Sequence, residues 1–259
     1  MTMRTIAVAN QKGGSGKTTT AVNLAAAWGG RGRRVLLVDL DPQFAATRQL
    51  GVVPSDLTAT LADVLAGDAQ AADAVVADVV PSVDLLAGDR ELAAVELSLV
   101  SEPMRERFLS SVLDDLVGYD VALIDCPPNL GLLTVNGLIA ADRLVVPVNT
   151  QDEGALQGVV ELRGTLAKLA ARGETRELDV LIETRVDRRR LVHRALDDAI
   201  ADLELPPPIA EVAERADFQR AAVEGRPLAL SAPDSIGGLA YRRLAEDLDA
   251  RFDIEAVAA

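Results

Sequence analysis

Short runs of Val, Ile and Leu alternate along the chain with longer stretches whose apolar residues recur every three or four positions. The runs at 5–9, 34–39, 83–86, 120–125, 143–148 and 178–184 predict strands buried on both faces. The longer stretches predict helices over 17–29, 91–99, 103–116, 130–140, 154–171, 192–203 and 237–252. In the last of these, Tyr241, Leu244, Leu248 and Phe252 share a helical face, and Glu246, Asp247, Asp249, Asp253 and Glu255 make its outer side acidic. Alternating strands and helices predict an α/β fold, a mostly parallel central sheet with helices on both faces. The Ala/Asp-rich stretch 58–78 reads as helical surface, and Pro206-Pro207-Pro208 as a rigid connection. With no long linker or repeat, residues 1–259 are expected to form one domain.

Composition narrows the class. Of 259 residues, 49% are hydrophobic and 25% charged, as in water-soluble globular chains. No apolar run is long enough to span a bilayer, and the N-terminus enters a strand pattern without a leader, so a cytoplasmic setting with no membrane partner is expected. The single Cys126 rules out an internal disulfide framework and any cluster needing several thiolates from one chain. A net charge of −14 argues against a polyanionic partner unless a local basic island exists.

In such sheets the site lies at the carboxyl ends of the strands, and three motifs fall there. After the first strand comes Gln11-Lys12-Gly13-Gly14-Ser15-Gly16-Lys17-Thr18-Thr19, opening a helix. Strand, Gly-rich loop and helix N-terminus together make a phosphate cradle, in which Lys17 reaches the β- and γ-phosphates and Thr18 ligates Mg²⁺. The usual first glycine is replaced by Gln11, and Lys12 is a surplus lysine at the front of the loop. Asp39-Leu40-Asp41-Pro42-Gln43 ends the second strand, with Asp39 pointing to the metal and Asp41 positioning a water. Asp125-Cys126-Pro127-Pro128 ends another, where Asp125 can hold Mg²⁺ through water. The basic island is Arg185, Arg188, Arg189, Arg190 and Arg194, around His193, with Arg220 among the residues extending it. It reads either as a phosphate-backbone contact with DNA or as a solvated helix face paired with Asp187, Asp197 and Asp198.

These three motifs, with 130–134 through Pro147-Val148 and Gly225-Arg226-Pro227, resemble the ParA family of partition ATPases, the deviant Walker A class of P-loop NTPases. The resemblance runs over nearly the whole chain. It implies that ATP and Mg²⁺ are bound by residues 11–19 together with Asp39 and Asp125, and that Lys12, Lys17, Asp41 and Asp125 are catalytic. Lys12 would cross the interface of an ATP-dependent homodimer to the partner's nucleotide. The family further implies nonspecific double-stranded DNA as a ligand of the dimer, through the arginines above. It also implies a ParB-type centromere-binding partner that stimulates hydrolysis, and a nucleoid-associated location. Two alternatives use the same fold: an ATPase that positions a protein cargo, and a metabolic ATP-dependent enzyme. The acidic last helix disfavours a MinD-like membrane cycle. Two departures stand out: Phe44-Ala45 replaces the Gly-Asn that often follows Pro-Gln, and 149–154 lacks the aromatic residues common there.

Overall fold

Strands made of Val, Leu and Ile on both faces must be covered on both faces, and this dictates the layers. The computed structural model describes residues 3–152, 154–187, 192–214 and 216–254, with the side chains of 192–195 outside that set. Among the described residues, eight strands form one sheet in the order β3-β4-β2-β5-β1-β6-β7-β8. They are β1 (Arg4–Val8), β2 (Val35–Asp39), β3 (Val75–Val80), β4 (Val83–Leu86), β5 (Val121–Asp125), β6 (Arg143–Asn149), β7 (Val180–Val186) and β8 (Pro208–Ala213). Every pairing is parallel except that of β3 with β4.

The helices are α1 (Lys17–Gly29), α2 (Ala45–Gln49), α3 (Leu61–Ala66), α4 (Leu92–Ser98), α5 (Phe108–Asp114), α6 (Leu132–Ala140), α7 (Gln157–Ala170), α8 (Val192–Asp202), α9 (Ala216–Val223), α10 (Leu228–Ser231) and α11 (Ile236–Phe252). One core cluster joins Leu36, Ile124 and Val146 of the sheet to Leu133, Leu162 and Ile200 of α6, α7 and α8. The opposite cluster joins Ile6, Leu37 and Leu123 to Leu24 of α1 and to Tyr241, Leu244, Leu248 and Phe252 of α11. The predicted apolar face of the last helix is therefore core, all four residues being almost wholly buried. On its outer side, Glu246 and Asp249 pair with Arg31 at 2.7 and 3.3 Å.

Two expectations fail. The stretch 58–78 is not helical throughout. After α3 closes at Gly67 in the left-handed region (φ 84°), the chain forms the antiparallel edge strand β3 from Val75 onward. Its Val-Val and Val-Val pairs suit a half-buried strand better than a helix. The triple proline is not only a connection either, since Pro208 starts β8 at the other sheet edge, where a missing N–H costs no ladder bond.

The parallel register lines up the ends that matter. Val8 of β1 and Asp39 of β2 both sit opposite Asp125 of β5. Asn149 of β6 sits opposite Thr184 of β7.

Candidate functional site

The loop between β1 and α1 is shaped by backbone that a side chain would block. Gly14 and Gly16 have φ of 73° and 95°, left-handed values that favour glycine. A Cβ on Gly16 would also meet Thr184 Cγ2 at 3.1 Å. Ser15 and Lys17 are buried, while Gly13 and Gly14 are exposed. α1 starts at Lys17 with no side-chain cap, so its first N–H groups face the loop. That is the donor arrangement that takes a phosphate chain.

Residues outside the loop hold it in place. Asn10, almost fully buried, accepts the Lys12 N–H at Oδ1 (3.1 Å) and donates Nδ2 to the Pro147 carbonyl (2.7 Å). Gln11 donates to Thr165 Oγ1 of α7 at 3.2 Å. Thr184 Oγ1 donates to the Ser15 carbonyl at 2.8 Å and lies 3.2 Å from that of Val148. α7 approaches so closely that a Cβ on Gly158 would fall 2.2 Å from Asn10 Oδ1 and 2.9 Å from the Lys12 nitrogen.

The two lysines do different things. Lys17 curls over the loop, donating from Nζ to the Lys12 carbonyl at 3.1 Å. Burial pushes its ammonium below the usual lysine range, against the pull of Asp125, Cys126 and Asp41. Lys12 places its ammonium 3.1 Å from Asp152 Oδ1, with its side chain partly exposed.

The carboxylates are equally distinct. Asp39 is fully buried, and its Oδ2 accepts both the N–H (2.8 Å) and the hydroxyl (2.7 Å) of Thr47. Gly88 N–H in turn donates to that hydroxyl at 3.0 Å. Burial nevertheless raises Asp39 to about 6, with Asp41 adding to the rise and the Thr47 bonds opposing it. Asp125 is also fully buried, and neither of its oxygens makes a regular hydrogen bond. Burial and then Asp39 drive it well above the carboxylate range, while the Thr18 hydroxyl lies near enough to favour the charged form. Asp41 is half-buried, and its Oδ1 accepts the Gln43 N–H at 2.8 Å. The structure thus brings residues 11–19, Asp39, Asp41 and Asp125 together at the carboxyl ends of central strands. Asp39 uses Oδ2 on Thr47 and accepts the Asp41 N–H at Oδ1 (3.4 Å), while Asp125 has neither oxygen in a regular hydrogen bond.

A buried carboxylate with two unpartnered oxygens beside a threonine hydroxyl fits a hard divalent cation. Among the described residues no group of three His, Cys, Asp or Glu side chains could cage a metal. Mg²⁺ keeps waters and takes few protein ligands, so one carboxylate and one hydroxyl are a donor set it can use.

The arginine island divides. Arg188, Arg189, Arg190 and the side chain of Arg194 lie outside the described residues. Arg185 is exposed in the left-handed region (φ 54°) at the end of β7, and Arg220 is exposed on α9. Arg185 also lines a cavity of about 210 Å³ that opens beside Gly16 and Thr19 and is walled by Thr184, Val212, Phe218 and Tyr241. Phe218 and Tyr241 meet edge to face at 5.8 Å.

Sequence reading missed Asn10, Thr47, Thr184, Gly158 and the cavity. Only Gly158 left a signal, as a glycine inside a helical pattern. The Phe44 departure sits at a left-handed position (φ 41°) just before α2, where a glycine would be unstrained, and Arg48 lies over its ring at 5.1 Å.

Residues 3–180 match the family model described as an AAA domain. The chain is 35% identical over 261 residues to the chromosome partitioning protein ParA of Caulobacter vibrioides, covering 96% of this chain and 95% of that one. It is 36% identical over 258 residues to the sporulation initiation inhibitor protein Soj of Bacillus subtilis, covering 95% and 98%. Among solved structures, it is similar to cobyrinic acid a,c-diamide synthase from Mycobacterium smegmatis with bound ADP and magnesium. That match has 34% identity, a TM-score of 0.82 and full coverage of both chains.

Proposed function

The chain belongs to the ParA family of P-loop ATPases, and on that premise we propose that it is a partition ATPase whose Mg·ATP-bound form is a DNA-binding homodimer. That it hydrolyses ATP with Mg²⁺ follows from the family; the dimer, the DNA and the cargo are this proposal. The observation that carries it is the division of labour between the lysines. Lys17 is committed to its own loop, donating to the Lys12 carbonyl, whereas the Lys12 ammonium pairs with Asp152 and its side chain is 35% exposed. A lysine in that place is suited to another subunit's nucleotide, where it adds positive charge to the transition state.

Within one subunit, the loop N–H groups and Lys17 hold the phosphates, and the cavity beside Gly16 and Thr19 receives the base against Phe218. Thr18 and Asp125 hold Mg²⁺, which supplies charge against the phosphate oxygens when bound. Asp39 acts through Thr47 to fix the end of β2. Asp41, with no partner for Oδ2 among the described residues, orients the attacking water. Arg185, Arg188, Arg189, Arg190, Arg194 and Arg220 supply the DNA contact, and a ParB-type partner stimulates turnover. The nucleoid is the proposed surface, through that DNA contact; no helix among the described residues is long and apolar enough to cross a membrane.

The test is light scattering of Lys12→Ala with Mg·ATP. The proposal expects a monomer where the parent dimerises, and a dimer indistinguishable from the parent's would defeat it.

A second reading follows from the M. smegmatis structure: an ATP-dependent synthase acting on a small acid. ATP turnover stimulated by DNA without a small acceptor separates the two.

A further inference from the structure

Side chains at the end of β6 and just after it touch three parts of the site. Asn149 Nδ2 donates to the Gly14 carbonyl at 3.4 Å. Gln151 Nε2 donates to the Arg185 carbonyl (3.0 Å) and to Glu214 Oε2 (2.6 Å), both at the proposed base cavity. Asp152 Oδ1 lies 3.1 Å from Lys12 Nζ.

Asp152 is set up for this contact by its own turn. Gly154 N–H donates to Asp152 Oδ1 at 2.9 Å, and Ala155 N–H to the Asp152 carbonyl at 3.0 Å. The side chain is thus fixed before Lys12 arrives, so pairing costs little further side-chain entropy. Gly154 clears the space: a Cβ there would stand 2.9 Å from Lys12 Nζ. The other end of Lys12 is fixed too, because Asn10 holds its backbone N–H.

We infer that Asp152 is a positioning residue that holds Lys12 in cis, so that a subunit must give up this ion pair before Lys12 can reach a partner's nucleotide. The inference rests on the trans-acting reading of Lys12. Through Gln151, the same stretch joins the Lys12 restraint to the wall of the base cavity, which gives a bound nucleotide a handle on it. The side chains are 35% and 29% exposed, so the restraint is modest, worth about two- to fivefold in an equilibrium rather than an absolute block.

The experiment uses Asp152→Asn, which keeps an acceptor for Gly154 N–H and removes the charge, and Asp152→Glu as the conservative variant. Two quantities are read: the rate at which an N-hydroxysuccinimide ester acylates Lys12 in single subunits, by peptide mass spectrometry, and the Mg·ATP concentration at half-maximal dimer, by light scattering. The expected result for D152N is Lys12 acylation about two- to fivefold faster, and half-maximal dimer at about two- to fivefold less ATP. D152E should return both toward the parent. Unchanged acylation in D152N overturns the restraint alone. Faster acylation with unmoved ATP dependence overturns its role in dimerisation. A Lys12→Ala variant that dimerises like the parent overturns the trans-acting reading, and the restraint with it.

Discussion

Asp39 and Asp125 are register partners at the carboxyl ends of neighbouring strands β2 and β5, both fully buried. Parallel strands about 4.8 Å apart bring their carboxyl groups close, and each is held above the carboxylate range by burial, with Asp39 adding to the rise at Asp125. The pair differs in support: Thr47 donates twice to Asp39, whereas only the Thr18 hydroxyl approaches Asp125, without regular hydrogen-bond geometry.

This sets a pH dependence. A carboxyl raised in the folded state binds more protons folded than unfolded, so its contribution to stability falls as pH rises from the unfolded value toward the folded one. For Asp39 that window runs from about 4 to about 6. The ligand-free protein should therefore lose Tm across it. Asp125→Asn should flatten the slope and raise Tm at pH 7, by roughly 2–4 °C for each kcal/mol of strain relieved. The same variant should lose at least about 100-fold in ATP turnover. Thermal scans from pH 4.5 to 7.5, alongside phosphate release, check both; a lower Tm for the variant at pH 7 would count against the strained pair.

Asp41→Ala should separate binding from chemistry. The Asp41 contact is to its own turn at Gln43, not to the loop that holds phosphate. Nucleotide affinity should stay within about threefold, while kcat falls about 10²- to 10⁴-fold, as for loss of a general base or water-orienting group. Nucleotide titration beside single-turnover hydrolysis distinguishes this from a folding defect, which would lower both.

Two glycines of α7 make a controlled comparison. Gly158→Ala drives a methyl into Asn10 Oδ1 and the Lys12 backbone, whereas Gly164 has nothing within 4 Å of the same addition. Gly158→Ala should weaken nucleotide binding at least about tenfold by displacing the loop. Gly164→Ala should leave binding alone and stabilise the helix by about 0.5–1 kcal/mol. Equal effects from the two would mean the approach of α7 does not position the loop.

Charge reversal at Arg220 tests the DNA surface where the structure describes it. Arg220 is exposed on α9. Arg220→Glu should weaken binding to random duplex by about the same factor for any sequence, and lower the log–log salt slope by about one. Fluorescence anisotropy at 50–200 mM salt reads both. An unchanged slope assigns the contact to other arginines.

Much of this was legible without coordinates. Periodicity placed the buried strands, because a strand covered on both faces can hold only apolar residues along its length. The order strand, Gly-rich loop, helix identified the phosphate cradle, and Asp39, Asp41 and Asp125 were read as strand ends. The edge was harder: β3 and β8 are half-buried, so their patterns are weak, and a proline opens one of them.

Neighbouring residue types set the local chemistry: they follow one another closely enough to make a phosphate loop, a strand-end acid or a helix face. Which distant residues share those atoms depends on the fold. Thr47 closes on Asp39, Thr184 props Ser15 across 169 positions, Gly158 admits Asn10, and Asp152 takes the Lys12 ammonium. The reason is physical. Hydrogen bonds and ion pairs act over about 3 Å, and only the parallel register, with α7 laid against the loop, brings those groups that near.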